Sequence, residues 1–338
     1  MTFRRSVGVF LGVAALTTAC SSSPIDVAPP TIEPAAPAVA PAQTTSPAGR
    51  VLPLGGRPAA ALFDPTTSSL VVFTPGTDPQ APASLTLIGP TGTARTVALP
   101  GPATAVAGDG KGSAVAATRG GYFTADLAAG TATRVSIPDE PDTDFTAIAR
   151  RADGRLVLGS ADGSAYTLDL AGKVTRKVKI FARVDALATD GNIAVVLDRG
   201  QTSVTALDDE GKPQQSLRAG EGATTIAADP LGRVLVADTR GGQLLVFGVD
   251  PLIERQAYPV PEAPYGLAGS RRLAWVSQTA ANIVVGYDLA TGIPVEKVRY
   301  PTVQQPNSLA FDDASDTLYV VSGSGAGVQV IRDAAGAR

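Results

Sequence analysis

The stretch Thr225-Ile-Ala-Ala-Asp-Pro-Leu-Gly-Arg-Val-Leu-Val-Ala-Asp-Thr-Arg-Gly-Gly-Gln-Leu-Leu-Val-Phe247 holds three short apolar runs separated by two turn signals. Asp229-Pro-Leu-Gly232 and Thr239-Arg-Gly-Gly242 are rich in residues that supply positive φ or an Asx hydrogen bond. The runs are four to five residues long and β-branched, which suits strands better than helices. The phrase returns seven times, marked by Ala61, Val106, Ile148, Leu187, Ile226, Leu267 and Leu309. The intervals are 45, 42, 39, 39, 41 and 42 residues. A period near 40 filled with short strands predicts one four-stranded propeller blade per repeat. The expected fold is therefore all-β, a seven-bladed β-propeller.

Each repeat follows one plan. An apolar strand leads to a turn such as Asp109-Gly110, Asp153-Gly154 or Asp190-Gly191, and a second strand follows at 155–159, 234–238, 273–277 or 318–322. A Gly-rich turn and a third strand come next. A turn opened by aspartate, as in Asp126-Leu-Ala-Ala-Gly130 or Asp288-Leu-Ala-Thr-Gly292, then leads into a more polar fourth strand. No segment sustains a 3.6-residue apolar period with caps, so helices are expected to be negligible. The last copy stops five residues after Asp333, too soon for a fourth strand. Val51-Leu-Pro-Leu54 lies unpaired before the first copy. Pairing it with the seventh blade would join the chain ends and remove an open edge, with Pro53 tolerable on the outermost strand.

Composition narrows the chemistry. The chain has 338 residues, 44% of them hydrophobic but only 5% aromatic, so the core must be built from Val, Leu, Ile and Ala. The net charge is −3 with no basic block, which argues against a nucleic-acid partner. There is no histidine and a single cysteine. No Ser–His–Asp triad, Cys–His pair or His-bearing metal site can be assembled. No Gly-rich loop both follows a strand and opens a helix.

The N-terminus carries an address. Arg4-Arg5 precede an apolar stretch over 7–16, and the small residues Thr17-Thr18-Ala19 lead into Cys20. The apolar run is too short to span a bilayer, for which ~20 residues are needed. Phe3-Arg-Arg-Ser-Val-Gly8 matches a twin-arginine signal only in part, so the export route stays open. Residues 1–19 are expected to be a signal peptide. Residues 20–50 hold the candidate anchor Cys20 and a Pro/Ala/Thr-rich stalk, and 51–338 form the propeller. The segment 21–50 contains seven Pro and seven Ala with only Asp26, Glu33 and Arg50 charged. Such a composition favours an extended spacer over a packed core, reaching roughly 90 Å at ~3.1 Å per residue. Loss of residues 1–19 leaves 26 basic and 31 acidic side chains, so attachment to an anionic membrane would have to come from acyl groups.

Three resemblances follow from these residues. Thr18-Ala19-Cys20 resembles a bacterial lipobox, which implies cleavage before Cys20 and acylation of its thiol. Pro306-Asn-Ser-Leu-Ala-Phe-Asp312, Thr317-Leu-Tyr-Val-Val321 and Gly327-Val-Gln-Val-Ile331 resemble YVTN and NHL propeller repeats, a likeness that spans about 57–333. Taken with the stalk, the chain resembles mycobacterial lipoproteins of the LppL type. The resemblance implies an exported lipoprotein on the outer face of the cell membrane and supplies no reaction.

Propeller geometry directs the search for a site. Loops between blades, and loops between each blade's second and third strands, gather at one mouth of the channel. The first set carries Asp144, Arg183, Asp185, Glu221, Glu262, Tyr265 and Asn307; the second carries Arg119, Arg199 and Arg240. Acids and arginines alternate, which fits either an ion-pair belt stitching blades together or a recognition surface for an envelope protein or glycan. Tyr122 and Tyr265 are expected near the mouth, where an aromatic ring could contact a sugar. No cofactor is expected under this reading, and the propeller is expected as a monomer. A metal-dependent hydrolase of the gluconolactonase type is the alternative. Asp144, Asp185, Glu221 and Asn307 would then hold a divalent cation such as calcium, a set of hard oxygen ligands drawn from different blades. Asp312-Asp-Ala-Ser-Asp316 looks calcium-like but lacks the glycine and distal glutamate of a binding loop, and reads as a solvated turn.

Overall fold

Strands such as Arg233–Asp238 and Gln243–Val249 are apolar at consecutive positions, so both faces need cover. A ring of radially packed sheets provides it. In the computed structural model, which describes residues 29–336, Val234 and Val236 enter the core shared with the preceding blade. Leu235 and Ala237 enter the core shared with the next. The alternation of side chains along a strand thus serves two blade junctions at once. The described residues form seven four-stranded antiparallel sheets. Blades 1 to 6 are residues 60–98, 105–136, 145–179, 186–218, 223–259 and 264–301. Blade 7 combines 306–331 with Arg50–Leu52. Each of the seven junctions has its own hydrophobic core. Among the described residues the helical content is a single 3-10 turn, Thr279–Ala281.

In blades 1 to 6 the strands run in chain order from the channel outward, and in blade 7 the N-terminal strand is outermost. The outermost ones are polar on their free face, as in Val174–Lys179, where half-buried and exposed residues alternate. Aspartates open the turns into these strands as Asx caps: Asp126 Oδ1 accepts from the amides of Ala128 and Ala129, and Asp169 Oδ1 from those of Ala171 and Lys173. Asp312 plays the same part at its own turn, accepting from the Ala314 amide and the Ser315 hydroxyl.

The ring closes through the N-terminal strand, Arg50–Leu52, which pairs antiparallel with Val328–Ile331 (Arg50↔Val330, Val51↔Gln329, Leu52↔Val328). It begins one residue earlier than expected and stops before Pro53, whose missing N–H therefore costs the ladder nothing. Leu52 is buried among Leu70, Val72 and Ile88 of blade 1 and Tyr319, Val321 and Val328 of blade 7. Trp275 and Tyr319 pack in inter-blade cores, with Trp275 stacked on Phe311 at 5.6 Å.

The Pro/Ala segment is extended, as its composition predicts, but from residue 32 to residue 48 it lies on the propeller. Ile32 N donates to Gly200 O, and Ala48 N to Pro301 O. Tertiary donors on four blades hold it there, a contribution invisible to composition. Cys20 and the signal-like residues fall outside the described residues.

Candidate functional site

The loops joining blades and the loops between second and third strands do gather at one mouth, and the mouth has two unlike halves. Over blades 2 to 4 it is ionic and, among the described residues, open. Arg119, from the second-to-third-strand loop of blade 2, pairs with Asp142 (3.2 Å) and Asp144 (3.3 Å) on the loop into blade 3. These side chains are 60%, 88% and 60% exposed, so the pairs add little stability and remain free to exchange for a ligand. Asp139, Glu140, Asp142, Asp144 and Asp162 line a cleft of about 360 Å³ there. Burial works against the Asp162 carboxylate, but hydrogen bonds from Ser160, Lys179 and Ser164 outweigh it and bring its pKa down to about 2. It stays ionised under any ordinary condition.

At the next junction Arg183 Nε lies 3.2 Å from Asp185 Oδ1, and the Arg199 amide donates to Asp185 Oδ2 at 2.8 Å. Burial raises the Asp185 pKa above the ordinary aspartate value, against the pull of that amide and of Arg183 and Arg199. Two fully buried carboxylates beneath the mouth hold its loops. Asp198 accepts from the amides of Ala182, Arg183 and Gln201. Asp238 accepts from Glu221, Gly222 and Gly241. Both end the second strand of their blade. The signal for this role was present in the sequence as Asp at matching repeat positions, Leu197-Asp198 and Ala237-Asp238.

Over blades 4 to 7 the mouth is covered. Arg199 Nη2 donates to Ala35 O, Arg240 Nη2 to Glu33 O at 2.7 Å, and Asn282 Nδ2 to Pro41 O at 2.9 Å. Gln305 grips from both ends of its amide: Nε2 donates to Ala38 O (2.8 Å) and Oε1 accepts from Ala40 N (2.9 Å). Gln305 sits at φ +59°, a conformation held by Asn282 Oδ1 on its amide and by the amides of Asn307 and Gly323 on its carbonyl. The side chain is aimed by Asn307 Oδ1, 3.0 Å from Gln305 Nε2. Asn307 therefore acts on the mouth through its neighbour.

The other expected residues fall as follows. Glu221 is exposed on the loop into blade 5, with its carbonyl facing Arg240 Nη1 at 3.4 Å. Glu262 is exposed at φ +61°, its carbonyl accepting from the Ala280 amide. Tyr265 is partly buried at the start of blade 6; burial raises its hydroxyl pKa and the Arg199 cation opposes the rise. Tyr122 belongs to the core between blades 2 and 3 and is only 6% exposed, which removes it from the mouth. It lies in the strand Gly121–Asp126, and the pleat turns it into the junction. Asp144, Asp185, Glu221 and Asn307 stay on four separate junctions, engaged as described. Among the described residues no three Asp, Glu, Cys or His side chains come together as a metal ligand set.

No family model matches the chain, and no curated protein sequence matches it. Solved structures do resemble it. U3-55K superposes with a TM-score of 0.70 at 13% identity, over 85% of this chain and all (100%) of the other. A chain of the hydrazine synthase of Kuenenia stuttgartiensis gives 0.66 at 14% identity over 85% of this chain and 99% of its own. Virginiamycin B lyase from Staphylococcus aureus gives 0.65 at 13% identity over 82% and 96%. Propellers so different in name share this shape at identities that carry the fold and nothing finer; what the chain has in common with them is a β-propeller architecture.

Proposed function

We propose that the chain is an exported lipoprotein of the mycobacterial LppL type. In this reading its propeller is a non-catalytic binding or scaffolding module for an envelope protein or glycan. The observation that carries the binding role is the open half of the mouth: Arg119, Asp142, Asp144 and Arg183 present charges to solvent on a rigid ring. Arginine forks on a fixed scaffold suit carboxylate and carbonyl groups of a partner. The lipobox-like Thr18-Ala19-Cys20 supports the anchor, with acyl groups on Cys20 holding the protein to the outer face of the membrane.

Two experiments test this. A photocrosslinker at position 119 or 183, used in intact envelopes, is expected to trap a defined partner in the size range of a protein or glycan; an empty result across growth conditions counts against the binding role. Cys20→Ser is expected to move the protein from the membrane to the soluble fraction, and continued tight retention refutes acylation.

A further inference from the structure

The covered half of the mouth is built as a receptor for extended chain. Within residues 31–43, Pro34, Pro37 and Pro41 carry no N–H, so the segment offers more acceptors than donors. The ring meets them with donors only it can supply. Arg240 takes Glu33, Arg199 takes Ala35, Gln305 takes Ala38, Gln304 takes Ala40 and Pro41, and Asn282 also takes Pro41. An extended proline-rich backbone keeps its carbonyls solvated and lacks internal hydrogen bonds, so such a row of donors recognises it with little ordering cost. Side-chain selection is confined to two points. Ala35 and Ala40 are 7% and 5% exposed, whereas Val39 is 92% exposed. A Cβ on Gly222 would stand 3.1 Å from Ala35 Cβ, so the missing side chain at 222 leaves room for the buried Ala35 methyl.

We propose that this groove binds an extended Pro/Ala-rich segment of a partner polypeptide, and that residues 31–43 occupy it in cis as a competitor. The proposal rests on the binding-module reading and names its partner class. A competitor docked most of the time lowers the apparent affinity for a partner by the fraction of open molecules.

The test uses the full chain and a fluorescent copy of residues 31–43 as the probe, read by anisotropy. Two variants open the groove without touching the ring: Ala35→Glu with Ala40→Glu, and replacement of 31–43 by a Gly/Ser segment of equal length. Each is expected to bind the probe at least tenfold more tightly than the unaltered chain. Adding Gln305→Ala is expected to remove at least tenfold of that affinity. Opened variants that fold yet bind no better than the unaltered chain overturn the proposal, as does indifference to Gln305→Ala. Failure of both variants to fold also overturns it, because the segment would then be part of the fold. Probe-independent dimers of the unaltered chain would show exchange between copies in place of a foreign partner, and overturn it too. If the probe fails while crosslinks at position 119 or 183 still form, the groove is refuted and the binding module stands.

Discussion

Replacing Leu52 by alanine tests whether the N-terminal strand closes the ring through its ladder or through its one buried side chain. The ladder joins three residue pairs. Its hydrogen bonds contribute about 1 kcal/mol net each, and ordering the three residues costs ~1–2 kcal/mol each, so the backbone terms nearly cancel. Leu52 breaks the tie. It is 9% exposed and fills the junction between blades 7 and 1, where its neighbours Leu70 and Val328 are fully buried. Truncation there removes transfer energy and leaves a cavity bounded by two blades, a loss of about 3 kcal/mol. At ~2.1 cal/mol/K of unfolding entropy per residue, a domain of this size would lose about 5 °C in Tm. Val51, on the opposite face of the same strand and 40% exposed, provides the control: Val51→Ala is expected to cost under about 0.5 kcal/mol. Thermal and urea unfolding of both variants, with limited proteolysis at the 7–1 junction, gives the answer. Equal stability of the two variants refutes the argument that hydrophobic anchoring closes the ring.

Other consequences follow from the same contacts. Asp238→Ala strands three loop amides, of Glu221, Gly222 and Gly241, and is expected to cost about 3 kcal/mol in urea unfolding, with Asp238→Asn costing less because one acceptor oxygen survives. Gly269→Ala would place a Cβ 2.6 Å from Asp229 Cα and 2.7 Å from Ala228 O on the neighbouring blade; a loss of about 2 kcal/mol or more is expected, and an unchanged urea midpoint would show that the two inner strands can separate. Asp162, with its pKa held down to about 2, contributes stability that is present above the ordinary aspartate range and lost as pH falls toward 2. Its side chain is half exposed, so solvent screening limits the effect to about 1 kcal/mol. Wild type and Asp162→Asn are therefore expected to differ at pH 5 and converge near pH 2, and a constant difference across that range refutes the assignment.

What the chain announces in one dimension is what depends on neighbours in one dimension. The Asp-opened turns, the unbroken apolar runs and the 40-residue period are local, and from them the blade number, the radial packing and even the closing strand at Val51 were legible. Leu52 could be paired with blade 7 because the last repeat was visibly one strand short. The mouth was legible as a set of loops but not as a surface. Whether Tyr122 points into a junction or into the channel depends on the pleat of one strand against another blade. Whether Asp198 is a ligand or a buried clamp depends on which amides the adjacent loop presents. The largest difference lies at residues 31–48. Their composition describes a chain with nothing to bury, and that is true of the segment taken alone. Its partners Arg199, Arg240, Asn282 and Gln305 lie between 164 and 267 residues away in the chain, and only the closed ring brings their donors into one row. Proline and alanine determined that the segment would be extended; the tertiary structure decided that it would have somewhere to lie.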